Sequence, residues 1–196
     1  MKMLSGTLAL IALIVLVAVV LRPRIARAGL LNEGDLAPAF STQMVTGDQI
    51  APISLSDYHG KKVVLYFYPK DDTPGCTKEA CAFRDGYSRF SNAGLVLLGC
   101  SVDTSDAHRA FIKKYGLPFP LLLDSDKKIA TEYGAANGIP ILGLDRRITY
   151  IIGEDGKIVK VYPNVDPSAH ATEILTALGV SENPPPPQPS PSPAVN

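Results

Sequence analysis

Two cysteines and the residues that lead into them carry the most specific chemical signal in the chain. Residues 69–81 read PKDDTPGCTKEAC and follow directly on the apolar stretch 63–68. Thr73 is a preferred N-cap residue and Pro74 a preferred first helical residue, so we expect a helix with Cys76 in its first turn. Free backbone N–H groups and the positive end of the helix dipole meet there, and both favour the nucleophilic thiolate.

A guanidinium is expected near the same sulfur. Arg147 stands just before the predicted strand 148–152, and a strand beginning there could bring its planar side chain to the edge of the sheet at which the Cys76 helix starts. Arg146 is its neighbour in sequence. The spacing alone therefore leaves a one-residue ambiguity.

Cys81 follows Cys76 by five residues. In a regular helix, positions separated by five lie about 140° apart around the axis, with Cα atoms about 8 to 9 Å apart. A disulfide needs Cα atoms within roughly 7 Å. Any bond between these two sulfurs therefore requires the helix to unwind locally.

The alternative to reactive cysteines is that they serve as small buried apolar residues, which free cysteines often do. Cys100 lies inside the apolar stretch 95–102, and we interpret it in this way. For Cys76 this interpretation is weak, because a core residue does not need the lead-in Thr73-Pro74-Gly75. Cys81 taken alone leaves both interpretations open.

The elements that must position these residues alternate along the chain. Stretches 63–68, 95–102 and 121–123 are apolar without alternation, as in strands buried on both faces. Helices are predicted at 105–115, at 127–133 and from Asp166-Pro167 to residue 178, and a hairpin at 148–152 and 157–162. This order predicts an α/β fold with a central mixed sheet.

Composition excludes several classes of function. The 196 residues have formal charge zero, but the four basic residues of 1–28 leave 15 basic against 19 acidic residues in the remainder, which argues against nucleic acid. The three cysteines and three histidines show no spacing typical of zinc ligands. We expect His59, His108 and His170 to be solvated and without a role.

Both ends of the chain differ from the predicted domain at 34–180. Residues 8–21 are entirely apolar and are followed by arginines and a small-x-small sequence. Residues 1–28 thus predict a signal or membrane anchor, and a membrane-anchored or exported protein in the periplasm or thylakoid lumen, with cleavage and sidedness left open. Residues 184–193 contain seven prolines, so 181–196 are predicted to form a disordered tail.

Taken together, the residues of the cysteine segment resemble a known family. Pro69, Thr73 and Cys76 match the Pro-x-x-x-Thr-x-x-Cys motif of peroxiredoxins, and Cys81 resembles the resolving cysteine of the bacterioferritin-comigratory or Q-type branch. The similarity covers roughly 34–180, and its Arg-x-Thr-aromatic match favours Arg147 over Arg146.

The resemblance implies a thioredoxin-like fold with helices on both faces of the sheet, and a peroxidase acting on hydrogen peroxide and organic hydroperoxides. Cys76 would become a sulfenic acid, and Cys81 would condense with it to a disulfide that thioredoxin reduces. Thr73 would hydrogen-bond the peroxide, Arg147 would hold thiolate and substrate, and Pro69 would shield the site from water. The resemblance implies no metal, haem, flavin or other cofactor, and favours a monomer.

Two other functions compete with this interpretation. A thiol–disulfide exchange protein on the same fold usually has two intervening residues between its cysteines, whereas four intervene here. A membrane-tethered redox sensor would signal the oxidation of Cys76 to a partner through the proline-rich tail. A measurement of peroxide turnover would distinguish both of these functions from that of a peroxidase.

Overall fold

The computed structural model describes residues 29–136 and 143–181, which form one sheet with helices packed against it. Its seven strands run in the order β2-β1-β5-β4-β3-β6-β7. They are β1 Ser41–Thr46, β2 Gln49–Ser54, β3 Val63–Phe67, β4 Val96–Ser101, β5 Leu121–Leu123, β6 Ile148–Ile152 and β7 Ile158–Tyr162. The α-helices are α1 Pro74–Asn92, α2 Ser105–Tyr115, α3 Lys128–Glu132 and α4 His170–Ala177, and a 3-10 helix covers Leu55–Tyr58.

The centre of the sheet is parallel and its flanks are antiparallel. β3, β4 and β5 run parallel, while β1 pairs with β5, and β6 with β3, in the antiparallel sense. Every residue of β3 and β6 is buried, because apolar layers cover both faces. One layer contains residues of α1, α2 and α4, and the other contains residues of α3. The predicted fold class, a mixed sheet with helices on both faces, is confirmed.

The structure differs from the predicted elements at two places. The hairpin of β1 and β2 turns at Gly47, whose φ of 57° is accessible to glycine at little cost, and it was not predicted. The last helix begins at His170 rather than at Pro167, because the Asp166 side chain accepts hydrogen bonds from the backbone N–H and the hydroxyl of Ser168 and closes a turn there.

The predicted location of the protein needs correction. Within 29–136 and 143–181, no helix is long and apolar enough to cross a bilayer. This finding contradicts the prediction of a membrane-anchored or exported protein. The segment 1–28 on which that prediction was based, and residues 182–196 of the predicted tail, lie outside the described residues.

Two of the three histidines are buried, contrary to the expectation that all are solvated. His59 is exposed, but His108 and His170 are 0% exposed. His170 pairs through Nε2 with the hydroxyl of Thr149 at 2.8 Å, and its Nδ1 lies 3.5 Å from Glu173 Oε2 without a hydrogen bond of its own. Burial lowers the pKa of His170 to about 4, so the ring is neutral at pH 7.

We predict that His170 makes the fold acid-sensitive. Its folded pKa of about 4 lies below the ordinary value of 6.5, so the unfolded state takes up the proton first and the free energy of unfolding falls between pH 6.5 and 4. The loss over this window should be on the order of 3 kcal/mol. Urea unfolding of the wild type and of His170→Gln, which keeps a polar group near Thr149 but does not titrate, should show diverging pH profiles. Parallel profiles would contradict the prediction.

Candidate functional site

A buried carboxylate holds the loop between β3 and α1. Asp71 accepts hydrogen bonds from the hydroxyl of Tyr68 at 2.8 Å and pairs with Nδ1 of His108 at 2.7 Å. Its backbone N–H donates to the side chain of Asp103 at 2.8 Å, and the hydroxyl of Ser101 donates to the same oxygen. These contacts join the loop to the ends of β3 and β4 and to α2, so the start of α1 is fixed relative to the sheet.

The next residue of the loop turns the chain sharply into the helix. Asp72 has a φ of 57°, in the left-handed region that few non-glycine residues adopt. Its carboxylate accepts hydrogen bonds from Lys114 Nζ at 2.7 and 2.8 Å and from the hydroxyl of Tyr115 at 2.5 Å. The last two residues of α2 thus hold this turn in place.

Helix α1 starts as the sequence predicts, although Thr73 does not cap it with its side chain. Thr73 is the N-cap residue, with extended backbone angles, and Pro74 is the first helical residue. The Thr73 hydroxyl donates instead to the carbonyl of Lys70 at 3.0 Å. The N–H of Thr77 donates to Thr73 O, so the amides of Gly75 and Cys76 precede the first donor of the helical ladder and remain available.

The structure brings Arg147 to Cys76. Arg147 Nη2 lies 3.2 Å from Cys76 Sγ. The sheet explains this, because the antiparallel pairing of Phe67 with Ile148 puts the start of β6 beside the end of β3. A Cβ at Gly75 would lie 3.2 Å from Arg147 Nη2, so glycine there allows the close approach. Arg146 is exposed, so of the two adjacent arginines it is Arg147 that lies beside Cys76.

Glu79 also belongs to this cluster, although the sequence pattern did not predict a role for it. It lies one turn after Cys76, is 0% exposed, and pairs through Oε2 with Arg147 Nη1. Burial raises its pKa to about 7, and the charge of Arg147 opposes that shift. Its other oxygen, Oε1, has no hydrogen-bond partner. Its position could have indicated this, because Glu79 follows Cys76 by three residues and lies on the helix face of the buried Ala80 and Phe83.

The other two predicted site residues, Pro69 and Cys81, flank Cys76 in the chain. Pro69 is half-buried at the start of the loop, and Cys81 is partly exposed in the same unbroken helix as Cys76. The two thiols are free, and Cys76 is only 2% exposed. Cys100 is 0% exposed, and burial raises the pKa of its thiol well above the usual range. No group of three potential metal ligands occurs among the described residues.

Comparison with known proteins agrees with this geometry. Residues 34–161 match the AhpC/TSA family. The chain is 46% identical over 153 residues to a putative peroxiredoxin bcp of Coxiella burnetii, covering 76% of this chain and 99% of that protein. It is 44% identical over 148 residues to a chloroplastic peroxiredoxin Q of Sedum lineare, covering 75% of this chain and 77% of that protein.

Solved structures show the same relationship. The crystal structure of peroxidoxin BcpB from Mycobacterium tuberculosis matches with a TM-score of 0.68 and 33% identity, covering 76% of this chain and 97% of that chain. A PrxQ mutant of Xylella fastidiosa matches with a TM-score of 0.69 and 31% identity, covering 76% and 96%. The chain therefore belongs to the AhpC/TSA family and is a peroxiredoxin, a thiol peroxidase.

Proposed function

We propose that residues 34–180 form a peroxidase domain in which Cys76 reduces hydrogen peroxide and organic hydroperoxides, Cys81 resolves the product, and thioredoxin restores both thiols. The observation that carries the proposal is the 3.2 Å contact between Arg147 Nη2 and Cys76 Sγ at the first turn of α1. A guanidinium and the start of a helix both stabilise a sulfur anion, which is the attacking species.

In the first step the Cys76 thiolate attacks one oxygen of the peroxide. A sulfur–oxygen bond forms, the O–O bond breaks, and the departing oxygen takes up a proton to leave as water or an alcohol. Cys76 becomes a sulfenic acid. Arg147 lies beside the attacking sulfur, so it can also stabilise the negative charge that develops on the departing oxygen. Glu79 holds the other nitrogen of the guanidinium and is a positioning residue for it.

Thr73 and Pro69 shape the approach of the substrate in this proposal. The hydroxyl hydrogen of Thr73 is directed to Lys70 O, so its lone pairs are free to accept the O–H of an incoming peroxide. Pro69, half-buried at the start of the loop, has no backbone N–H to bind water and shields Cys76 from it in this proposal. Cys76 is 2% exposed, which suits a small peroxide better than the disulfide of a protein partner and disfavours a thiol–disulfide exchange protein.

In the second step the Cys81 thiol attacks the Cys76 sulfenic acid. A disulfide forms and water leaves, so the two sulfurs must meet within bonding distance. Both cysteines lie in the unbroken helix α1, and that helix must open at its start for the bond to form. Opening also exposes the disulfide, which a thioredoxin thiolate must reach for exchange.

The cysteine variants test the assignment of the two sulfurs. With hydrogen peroxide, thioredoxin and its reductase, the reduction of peroxide should be abolished in Cys76→Ser, because no nucleophile remains. Cys81→Ser should still form one sulfenic acid per chain, measured by mass spectrometry, but lose thioredoxin-linked turnover.

Cys100→Ser is the matched control, because Cys100 is buried in β4 and belongs to the apolar layer on the opposite face of the sheet from Cys76. Full steady-state turnover in Cys81→Ser would contradict the resolving role. A stable mixed disulfide with one partner and negligible peroxide turnover in the wild type would favour a redox sensor.

Arg147→Lys tests the role of the guanidinium. Lysine keeps the charge but lacks the planar fork whose two nitrogens contact Cys76 and Glu79, so we expect slower reaction with peroxide. The loss in the second-order rate constant should be about ten- to a hundredfold, as for one charge-assisted hydrogen bond in the transition state. Arg146→Lys, at the exposed neighbour, should react like the wild type. Equal rates for Arg147→Lys and the wild type would refute the role.

A further inference from the structure

The C-terminal end of α2 contacts the chain on both sides of the cysteine segment. Lys114 and the hydroxyl of Tyr115 hold Asp72, immediately before Thr73. The backbone carbonyl of Tyr115 accepts a hydrogen bond of 2.8 Å from Arg84 Nη1, one turn after Cys81. We call Lys114 and Tyr115, with these contacts, the α2 clamp. Residues 73–83, which include both reactive cysteines, lie between its two attachment points.

Each attachment restrains a different part of the opening. Asp72 has its left-handed φ of 57°, a conformation that persists where the surroundings hold it. Releasing the Asp72 carboxylate lets this residue leave the strained region and the start of α1 move with it. Arg84 instead ties the helix turn after Cys81 to the neighbouring helix. Freeing it loosens the end of the segment that carries the resolving sulfur.

The geometry points to the α2 clamp as the element that limits how often residues 73–83 unwind, and hence how fast Cys81 reaches the oxidised Cys76. This inference rests on the proposed disulfide chemistry. Lys114, Tyr115 and Arg84 are positioning residues in it, because their polar side-chain contacts are with Asp72, with Asp85 and with one another rather than with Cys76 or Arg147.

The speed of opening decides between two fates of the sulfenic acid. If Cys81 arrives, its thiol displaces the hydroxyl, a disulfide forms and water leaves. If a second peroxide arrives first, its O–O bond breaks, one oxygen is transferred to the sulfur, and Cys76 becomes a sulfinic acid while water or an alcohol departs. A tight clamp preserves the peroxidatic geometry but prolongs the life of the sulfenic acid. The clamp therefore sets the peroxide concentration that the enzyme tolerates.

The clamp can be weakened without a large loss of packing. The ring of Tyr115 packs edge-on against Phe111 with centroids 5.2 Å apart, so Tyr115→Phe removes the hydroxyl bond to Asp72 and keeps the ring. Arg84→Gln removes the tie to the Tyr115 carbonyl. Lys113→Gln provides a matched control, because this exposed lysine lies on the same last turn of α2 but is not part of the clamp.

The test uses the full-length protein, reduced and then mixed rapidly with hydrogen peroxide. Acid-quenched samples taken over time give the amounts of sulfenic acid, Cys76–Cys81 disulfide and sulfinic acid by mass spectrometry. In Tyr115→Phe and Arg84→Gln we expect the conversion of sulfenic acid to disulfide to be about three- to tenfold faster, as for the loss of one hydrogen bond. Sulfinic acid should require correspondingly more peroxide, while the first oxidation of Cys76 and the Lys113→Gln protein keep wild-type rates.

Conversion at the wild-type rate in both clamp variants would overturn the clamp and leave the proposed function intact. A sulfenic acid that never becomes a Cys76–Cys81 disulfide in the wild type would instead overturn the proposed resolution, and the clamp with it. The two failures are distinct, because only the second is visible without any variant.

Discussion

A sulfur atom held against a guanidinium, at a point that water hardly reaches, is the arrangement on which the rest of the structure depends. Cys76 is 2% exposed and lies 3.2 Å from Arg147. A buried thiolate loses its hydration, and that cost must be offset by fixed charges and N–H groups. Arg147 and the free amides at the start of α1 provide these. Pairing of β6 with β3 supplies the guanidinium, and the Asp71 loop supplies the helix start.

The same arrangement creates a conflict between holding the sulfur and releasing it. In the proposed mechanism, peroxide reduction needs α1 intact, because its first turn would stabilise the thiolate, whereas a disulfide with Cys81 needs that turn undone. The polar contacts around the cysteine segment differ accordingly. Asp71 is bound by buried partners beneath the loop, whereas the contacts of Asp72 are exposed. Exposed contacts cost less to break than buried ones, so the chain beyond Asp71 can open against the restraint of the α2 clamp while the sheet remains folded.

The sequence predicts those parts of the fold that depend on local pattern. The unbroken apolar stretches of β3 and β4 indicate buried strands, and Thr73-Pro74 indicates the start of α1, because burial on both faces and helix entry leave local signatures. The hairpin of β1 and β2 was missed because these two strands lie at one side of the sheet and have one buried residue each, so neither forms an unbroken buried apolar stretch.

Buried polar residues are harder to predict, since their partners are distant in the chain. His108 is buried because its two ring nitrogens pair with Asp71 and with the carbonyl of Leu122, and the contact with Asp71 spans 37 positions. Glu79 is buried because Arg147, 68 positions away, pairs with it. Without the fold, such charged and polar residues are expected to lie on the solvated surface, as most of them do in proteins. The start of the predicted strand 148–152 indicated an arginine beside Cys76, and the resemblance to peroxiredoxins was needed to choose Arg147 over Arg146.

Amide hydrogen exchange of the reduced and the disulfide protein tests the central claim most directly, namely that α1 holds the reactive sulfur when folded and must open at its start to resolve it. The account predicts that residues 73–83 are protected in the reduced protein and lose protection once mass mapping shows the Cys76–Cys81 bond, while β3 stays protected in both. A mapped Cys76–Cys81 disulfide with unchanged exchange across residues 73–83 would contradict it.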